Sequence, residues 1–201
     1  MKKVVTLFAI AVAMLTAGSA KAQLNLHLGY MPETFSDEVG SVSNDFTMDG
    51  FFVGADYMMN LTGDLNLSVG LQLRYNMHSE TVATIETKFS QMALDVPILF
   101  NYGFPLGSDF KLSAFAGPTI SFAIMGKSKA TILGTENETD WYENNENLSR
   151  LNVYGTVGLS LSYKGQYRLF GGYNMGLLDL EQSDNNKRTT GGLFVGLGIG
   201  L

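Results

Sequence analysis

Two histidines and a set of clustered acids are the residues of this 201-residue chain whose types and spacing could do chemistry. His78 is followed by Ser79 and Glu80, which together supply the side-chain types of a nucleophilic triad. On a β-strand, however, neighbours point to opposite faces, so three consecutive residues do not converge on one reacting atom. His27 sits between Leu26 and Leu28 with no acid or hydroxyl beside it. Both histidines therefore read as polar residues, and the chain reads as a non-enzyme.

The acids Glu136, Glu138, Asp140, Glu143 and Glu146 surround Trp141 and Tyr142. Carboxylates at this density could hold a calcium ion, but the alternating ligands and central glycine of a calcium loop are absent. The segment reads as a solvated loop, with Trp141 and Tyr142 as candidate contacts for a partner, since exposed loop aromatics commonly anchor interfaces. The chain has no Cys, which excludes disulfides and a lipid anchor on a cleaved cysteine. It also lacks a glycine-rich phosphate loop and metal-ligand spacing, so no cofactor or metal is expected. The formal charge of −6 and the absence of a basic stripe argue against nucleic acid.

The elements that must position these residues show alternation with period two. Leu24, Leu26, Leu28 and Tyr30 interleave with Asn25, His27 and Gly29; Leu65, Leu67, Val69, Leu71, Leu73, Tyr75 and Met77 interleave with small or polar residues. The pattern recurs at 51–59, 94–102, 110–124, 151–163, 167–175 and 193–201, giving eight candidate strands. Their length suits a tilted strand crossing a bilayer better than a strand of a soluble sheet. The connections alternate too. Segments 33–48, 79–88, 125–149 and 179–189 are long and polar, whereas 61–64, 103–109 and 164–166 are short turns. Short turns on one side and long loops on the other are the plan of an outer-membrane barrel, with the turns periplasmic. The expected fold is thus all-β: a closed, antiparallel, up-and-down transmembrane β-barrel of eight strands.

With the apolar phase facing lipid, Tyr57, Phe100, Tyr102, Phe110, Tyr163 and Tyr167 fall outward beside the short turns. Tyr30, Phe51, Tyr75 and Tyr173 fall outward near the loops. Two aromatic girdles at the headgroup levels result. Glycines crowd the inward phase of the later strands, and eight strands leave an interior that side chains fill. The inward charges are Asp56, Arg74, Asp95, Lys111 and Arg168. Unpaired charges in a narrow lumen are costly, so a mutually neutralising plug is expected, with a narrow porin-like path for small solutes as the alternative.

Ahead of the barrel, Lys2-Lys3, an apolar stretch from Val4 to Leu15 and the small-residue end Ala20-Lys21-Ala22 form a secretory signal, with cleavage between Ala22 and Gln23. The stretch is too short for a membrane helix, which needs roughly 20 residues. Residues 1–22 are then a cleavable signal peptide and 23–201 one barrel domain.

The run Leu94-Asp95-Val96-Pro97-Ile98-Leu99-Phe100-Asn101-Tyr102, followed by Ala116-Gly117-Pro118, resembles the fourth and fifth strands of PorT-like outer-membrane barrels. The resemblance implies the fold and the outer membrane of a Gram-negative cell envelope. The founding member is associated with protein secretion, and most relatives with such a strand have no established activity. One departure is the end Ile199-Gly200-Leu201, because such barrels often finish on an aromatic that the barrel assembly machinery reads. Pro97 and Pro118 cannot donate to a ladder, so a local bulge is expected near them. The expected role is an envelope interaction or secretion-associated contact through loops or periplasmic rim. The partners are outer-membrane lipid, the assembly machinery and an extracellular or periplasmic protein, and the barrel is expected to be a monomer. A soluble lipocalin-like barrel, with its apolar face turned inward, is the remaining alternative.

Overall fold

The computed structural model describes residues 22–39, 42–82, 85–132, 135–144, 148–181 and 186–201. In chain order these form β1 (Ala22–Tyr30), β2 (Glu33–Val39), β3 (Val42–Thr62), β4 (Leu65–Val82), β5 (Ile85–Leu106), β6 (Phe110–Ile132), β7 (Thr135–Asp140), a short helix α1 (Trp141–Asn144), β8 (Leu151–Tyr163), β9 (Tyr167–Gly176) and β10 (Asn186–Gly200). Of the expected signal peptide, residues 1–21 lie outside the described residues. Ala22 opens β1, and the Gln23 side chain donates to the Gly165 carbonyl at 2.8 Å.

Every strand pairing is antiparallel, and the sheet closes where β1 meets β10, from Asn25 opposite Gly200 to Tyr30 opposite Val195. β1 and β2 share one position in the ring, because both pair with β3 on one side and β10 on the other. Met31 and Pro32 interrupt them, and Pro32 has no N–H to continue the ladder. β7 folds back onto the far end of β6. Ten strands therefore build an eight-stave barrel.

The alternation in the sequence becomes the division between outside and inside. Leu24, Leu26 and Leu28 on β1, Phe51 and Val53 on β3, Leu159 on β8 and Leu193, Val195 and Leu197 on β10 are exposed on the outer face. Asn25, His27, Asp56, Ser68, Arg74, Asn76, Asp95 and Asn152 are buried in the lumen. A water-soluble barrel would reverse this arrangement, so the lipocalin-like alternative does not describe the fold. Phe100, Tyr102, Phe110, Tyr163 and Tyr167 stand on the outer face near the short turns, and Tyr30, Phe51, Tyr75 and Tyr173 on the outer face toward the other end.

At the turn end the backbone is tight. Lys164 and Gly165 both have positive φ, 51° and 68°, as the two central residues of a type I′ turn require, within a three-residue loop between the paired Tyr163 and Tyr167. The Gln166 N–H closes it on the Tyr163 carbonyl at 3.1 Å.

Two expectations need correction. The long polar segments are not irregular loops: β2 and β3 remain paired from Glu33 opposite Met48 to Val39 opposite Val42, and β4 and β5 to Val82 opposite Ile85. Above the bilayer both faces of a hairpin meet water, so the apolar phase disappears from the sequence while the ladder continues. The prolines also cause no bulge. The ladders lapse where residues 70–71 face 96–97 and where 98–99 face 117–118, then resume in the same register. The register shifts lie elsewhere, at Asn60/Thr62 and Met92/Ala93.

Candidate functional site

The inward residues of β4 give the axial order of the lumen: Asn66 and Ser68 toward the turns, then Gln72, Arg74 and Asn76, and finally His78 and Glu80 at the hairpin end. Around this axis the interior separates into two polar plugs, an aromatic layer between them and a cavity at each mouth.

The plug nearer the turns is built on Asp56 of β3. Its carboxylate accepts from Asn25 Nδ2 at 2.9 Å and Arg168 NH2 at 2.5 Å, and lies 3.2 Å from His27 Nδ1. Four phenylalanines stand above it. Phe52, Phe170 and Phe194 follow one another at 6.1 and 6.3 Å between ring centres, and Phe115 stacks on Phe194 at 6.2 Å. Here the inward glycines find their use, since the Phe170 ring lies where a side chain on Gly196 would project, and Phe115 does the same at Gly158. A ring covering a glycine on the neighbouring strand fills a narrow barrel without crowding its backbone. A cavity of about 70 Å³ remains among these residues, Met31, Pro97 and Leu99.

The second plug converges on Arg74. Its Nε donates to Asp95 at 3.0 Å, NH2 to Ser121 Oγ at 3.1 Å and to the Tyr154 hydroxyl at 3.3 Å, and NH1 to Glu33. Glu33 also accepts from Asn76 Nδ2 at 2.8 Å and from the Tyr154 hydroxyl. Ser121 donates to Asp95 at 2.5 Å. Five staves thus meet on one guanidinium, and every charged member is buried.

Of the five inward charges read from the sequence, the fold pairs Arg74 with Asp95 and Asp56 with Arg168. Lys111 belongs to neither plug; it meets Asp64 at 3.1 Å at the turn-end rim, half exposed. Glu33, Tyr154 and His27 are the members that a search for strand charges passes over. Glu33 lay in a segment assigned to loop, Tyr154 carries no charge, and His27 was set aside for want of a sequence neighbour. The usable signal for Glu33 was its phase, since residues 25, 27, 31 and 33 all fall on the same side of one stave.

His78 meets neither Ser79 nor Glu80. Its ring packs edge-on against Phe46 at 4.7 Å and near Phe89 at 6.2 Å. Trp141 and Tyr142 turn inward over the hairpin-end mouth. The Tyr142 hydroxyl accepts from Gln91 Nε2 at 3.1 Å, the Arg150 guanidinium lies 4.4 Å over its ring, and burial pushes the hydroxyl's pKa up. Beyond Tyr142 an open vestibule of about 500 Å³ is lined by Phe35, Phe46, Phe89, Trp141, Glu80 and Arg188 among others. At the turn end a cavity of about 610 Å³ is lined largely by amides, hydroxyls, Lys111, Lys164 and Arg168. Among the described residues no three His, Asp or Glu side chains cluster as metal ligands.

A closed antiparallel barrel with an apolar exterior and a plugged polar lumen accords with the family comparison: the model of the outer membrane protein beta-barrel domain matches residues 17–182. The chain belongs to this family. Its place is the outer membrane of a Gram-negative bacterium. Among solved structures it is similar to Ail, the attachment invasion locus protein of Yersinia pestis, in complex with the heparin analogue sucrose octasulfate. That match has a TM-score of 0.51 and 14% identity, over 90% of this chain and all of Ail. It is also similar to the outer membrane enzyme PagL, with a TM-score of 0.52 and 14% identity over 85% of this chain and 98% of PagL. At that identity the likeness concerns the fold. No curated protein matches the chain in sequence.

Proposed function

We propose that this barrel is a non-enzymatic envelope protein that acts by contact at its hairpin end, outside the cell. The observation that carries the reading is the continuation of β2–β3, β4–β5 and β6–β7 as paired ribbons beyond the lipid-facing band. A ladder held in one conformation presents a binding surface with less ordering entropy to lose than a free loop. The surface is mixed in charge and tied by ion pairs, as where Glu138 on β7 meets Lys127 at 2.5 Å and Lys129 at 3.1 Å on β6. Buried, paired side chains fill the lumen at both plugs, which favours the ends over the interior as the working parts.

Ail was crystallised with a polyanionic heparin analogue. This chain is acidic, with a formal charge of −6, which disfavours a polyanion and favours a neutral or basic partner. PagL is an enzyme, but no described hydrogen bond joins either histidine here to a hydroxyl. The PorT-like strands suggest a finer version in which the turn-end rim, with its polar cavity, meets a secretion partner.

The test is to shorten the β6–β7 ribbon to a tight turn, confirm folding by heat-modifiable migration, and cross-link intact cells bearing either form. Loss of cross-linked partners from the shortened form supports hairpin-end contact. An unchanged partner set, with loss on altering the 103–109 turn, would move the function to the periplasmic rim.

A further inference from the structure

The vestibule at the hairpin end has a wall that neither the lipid nor the plugs explain. Phe35 on β2, Phe46 on β3, Phe89 on β5 and Trp141 on α1 form one continuous aromatic surface. Successive ring centres are 6.3, 5.0 and 6.3 Å apart. Phe35, Phe46 and Phe89 occupy the inward phase of strands that have already left the lipid-facing band, and Trp141 lies on α1 over the same mouth, so no membrane covers them. Phe46, Phe89 and Trp141 are only half-buried, and the space they face is about 500 Å³, the size of a small-molecule site. Aromatic surface turned toward an open cup is a cost that an occupant would relieve.

The charged lining selects the class of occupant. Asp37, Glu80 and Asp140 face the cup with one base, Arg188. Arg188 is held by Asp37 through two bonds, Nε at 2.5 Å and NH2 at 2.6 Å, which neutralises both. The nearby lysines are engaged elsewhere, Lys88 with Glu86 and Lys127 and Lys129 with Glu138. Asp140 is engaged at the start of α1, accepting from the Tyr142 and Glu143 N–H groups at 2.9 and 3.1 Å, and Glu80 remains as an exposed carboxylate at the edge of the aromatic wall. Ring faces carry a negative quadrupole, and rings beside a carboxylate are the recurring receptor for an ammonium ion with an apolar surface. We propose that the vestibule binds small organic cations, substituted ammonium ions in particular, with Phe46, Phe89 and Trp141 against the apolar substituents and Glu80 against the charge. The site is independent of any macromolecular contact made by the outer faces of the ribbons.

Trp141 is the only tryptophan in the chain, so its emission reports on this cup. The experiment uses full-length folded barrel in an uncharged maltoside detergent, which avoids competing headgroups. Choline is titrated by fluorescence and by calorimetry, alongside dimethylbutanol, in which carbon replaces the charged nitrogen. Saturable binding of choline, at least about tenfold weaker binding of the neutral isostere, and a comparable loss in Glu80→Gln are expected. Phe46→Ala should weaken choline binding as well, while Lys111→Ala at the opposite mouth should leave it unchanged. Equal binding of the two probes, indifference to Glu80→Gln, or silence in both measurements with heat-modifiable migration intact would each overturn the proposal.

Discussion

The Arg74 guanidinium on β4 donates to the Glu33 carboxylate on β2, two staves away around the ring and 41 residues away in sequence. The same guanidinium holds Asp95 on β5, so its two carboxylate partners lie on opposite sides of it. One side chain thereby ties together staves that share no ladder.

Removing that side chain should be expensive. Arg74→Met leaves Glu33 and Asp95 buried without a cation, and breaking a buried pair from one side costs about 3–5 kcal/mol. The expected result is a large fall in the urea midpoint of the detergent-folded barrel, read by heat-modifiable migration. Glu33→Gln keeps a hydrogen-bonding group and should cost less, about 1–2 kcal/mol. Equal midpoints for Arg74→Met and wild type would disprove the structural role.

Each plug should close the lumen alone, because the phenylalanine layer separates them. In planar bilayers the wild type, Arg74→Ala and Arg168→Ala should show no discrete openings. The double variant, which loosens both plugs, is the first in which openings are expected. Discrete openings by the wild-type protein would instead support the narrow channel.

The ring over Gly196 makes a paired prediction. Gly196→Val places branched carbons where Phe170 lies and where the Leu28 carbonyl is close, and such overpacking typically costs about 1–3 kcal/mol. Adding Phe170→Ala should return part of the loss, since it frees the ring's space but leaves the backbone approach. A double variant no more stable than Gly196→Val would show that the backbone alone sets the requirement.

The β6–β7 ribbon should loosen at both extremes of pH. The hydrogen bonds from Lys127 and Lys129 hold the Glu138 carboxyl below its ordinary range, and Glu138 in turn raises Lys127. A depressed acid stabilises the folded form above its unfolded pKa, and that contribution is lost as pH falls through about 4 and below. The raised amine acts oppositely, contributing at neutral pH and losing its effect as pH rises past about 10. Protease cleavage within residues 127–140 should therefore be slowest between these limits and faster at high salt. Cleavage that ignores pH and salt would count against the ion pairs.

Period-two alternation determined the barrel, because lipid outside and a polar lumen inside impose opposite demands on successive residues. It therefore disclosed the inward charges Asp56, Arg74, Asp95 and Arg168 and the outward girdles. The same physics explains where legibility ended. Beyond the lipid both faces of a strand meet water, so the paired continuations of β2–β5 read as loops, and Glu33 was hidden among them. Which charges meet was not in the pattern either. Alternation says that a residue faces the lumen, but its partner depends on how far each staggered strand is displaced along the axis. That displacement brings Arg74 to Glu33 across two staves, leaves Lys111 at the rim with Asp64, and turns Trp141 and Tyr142 inward over the mouth. Ring closure decided these meetings, because only a closed barrel sets residues of non-adjacent strands face to face across a narrow interior.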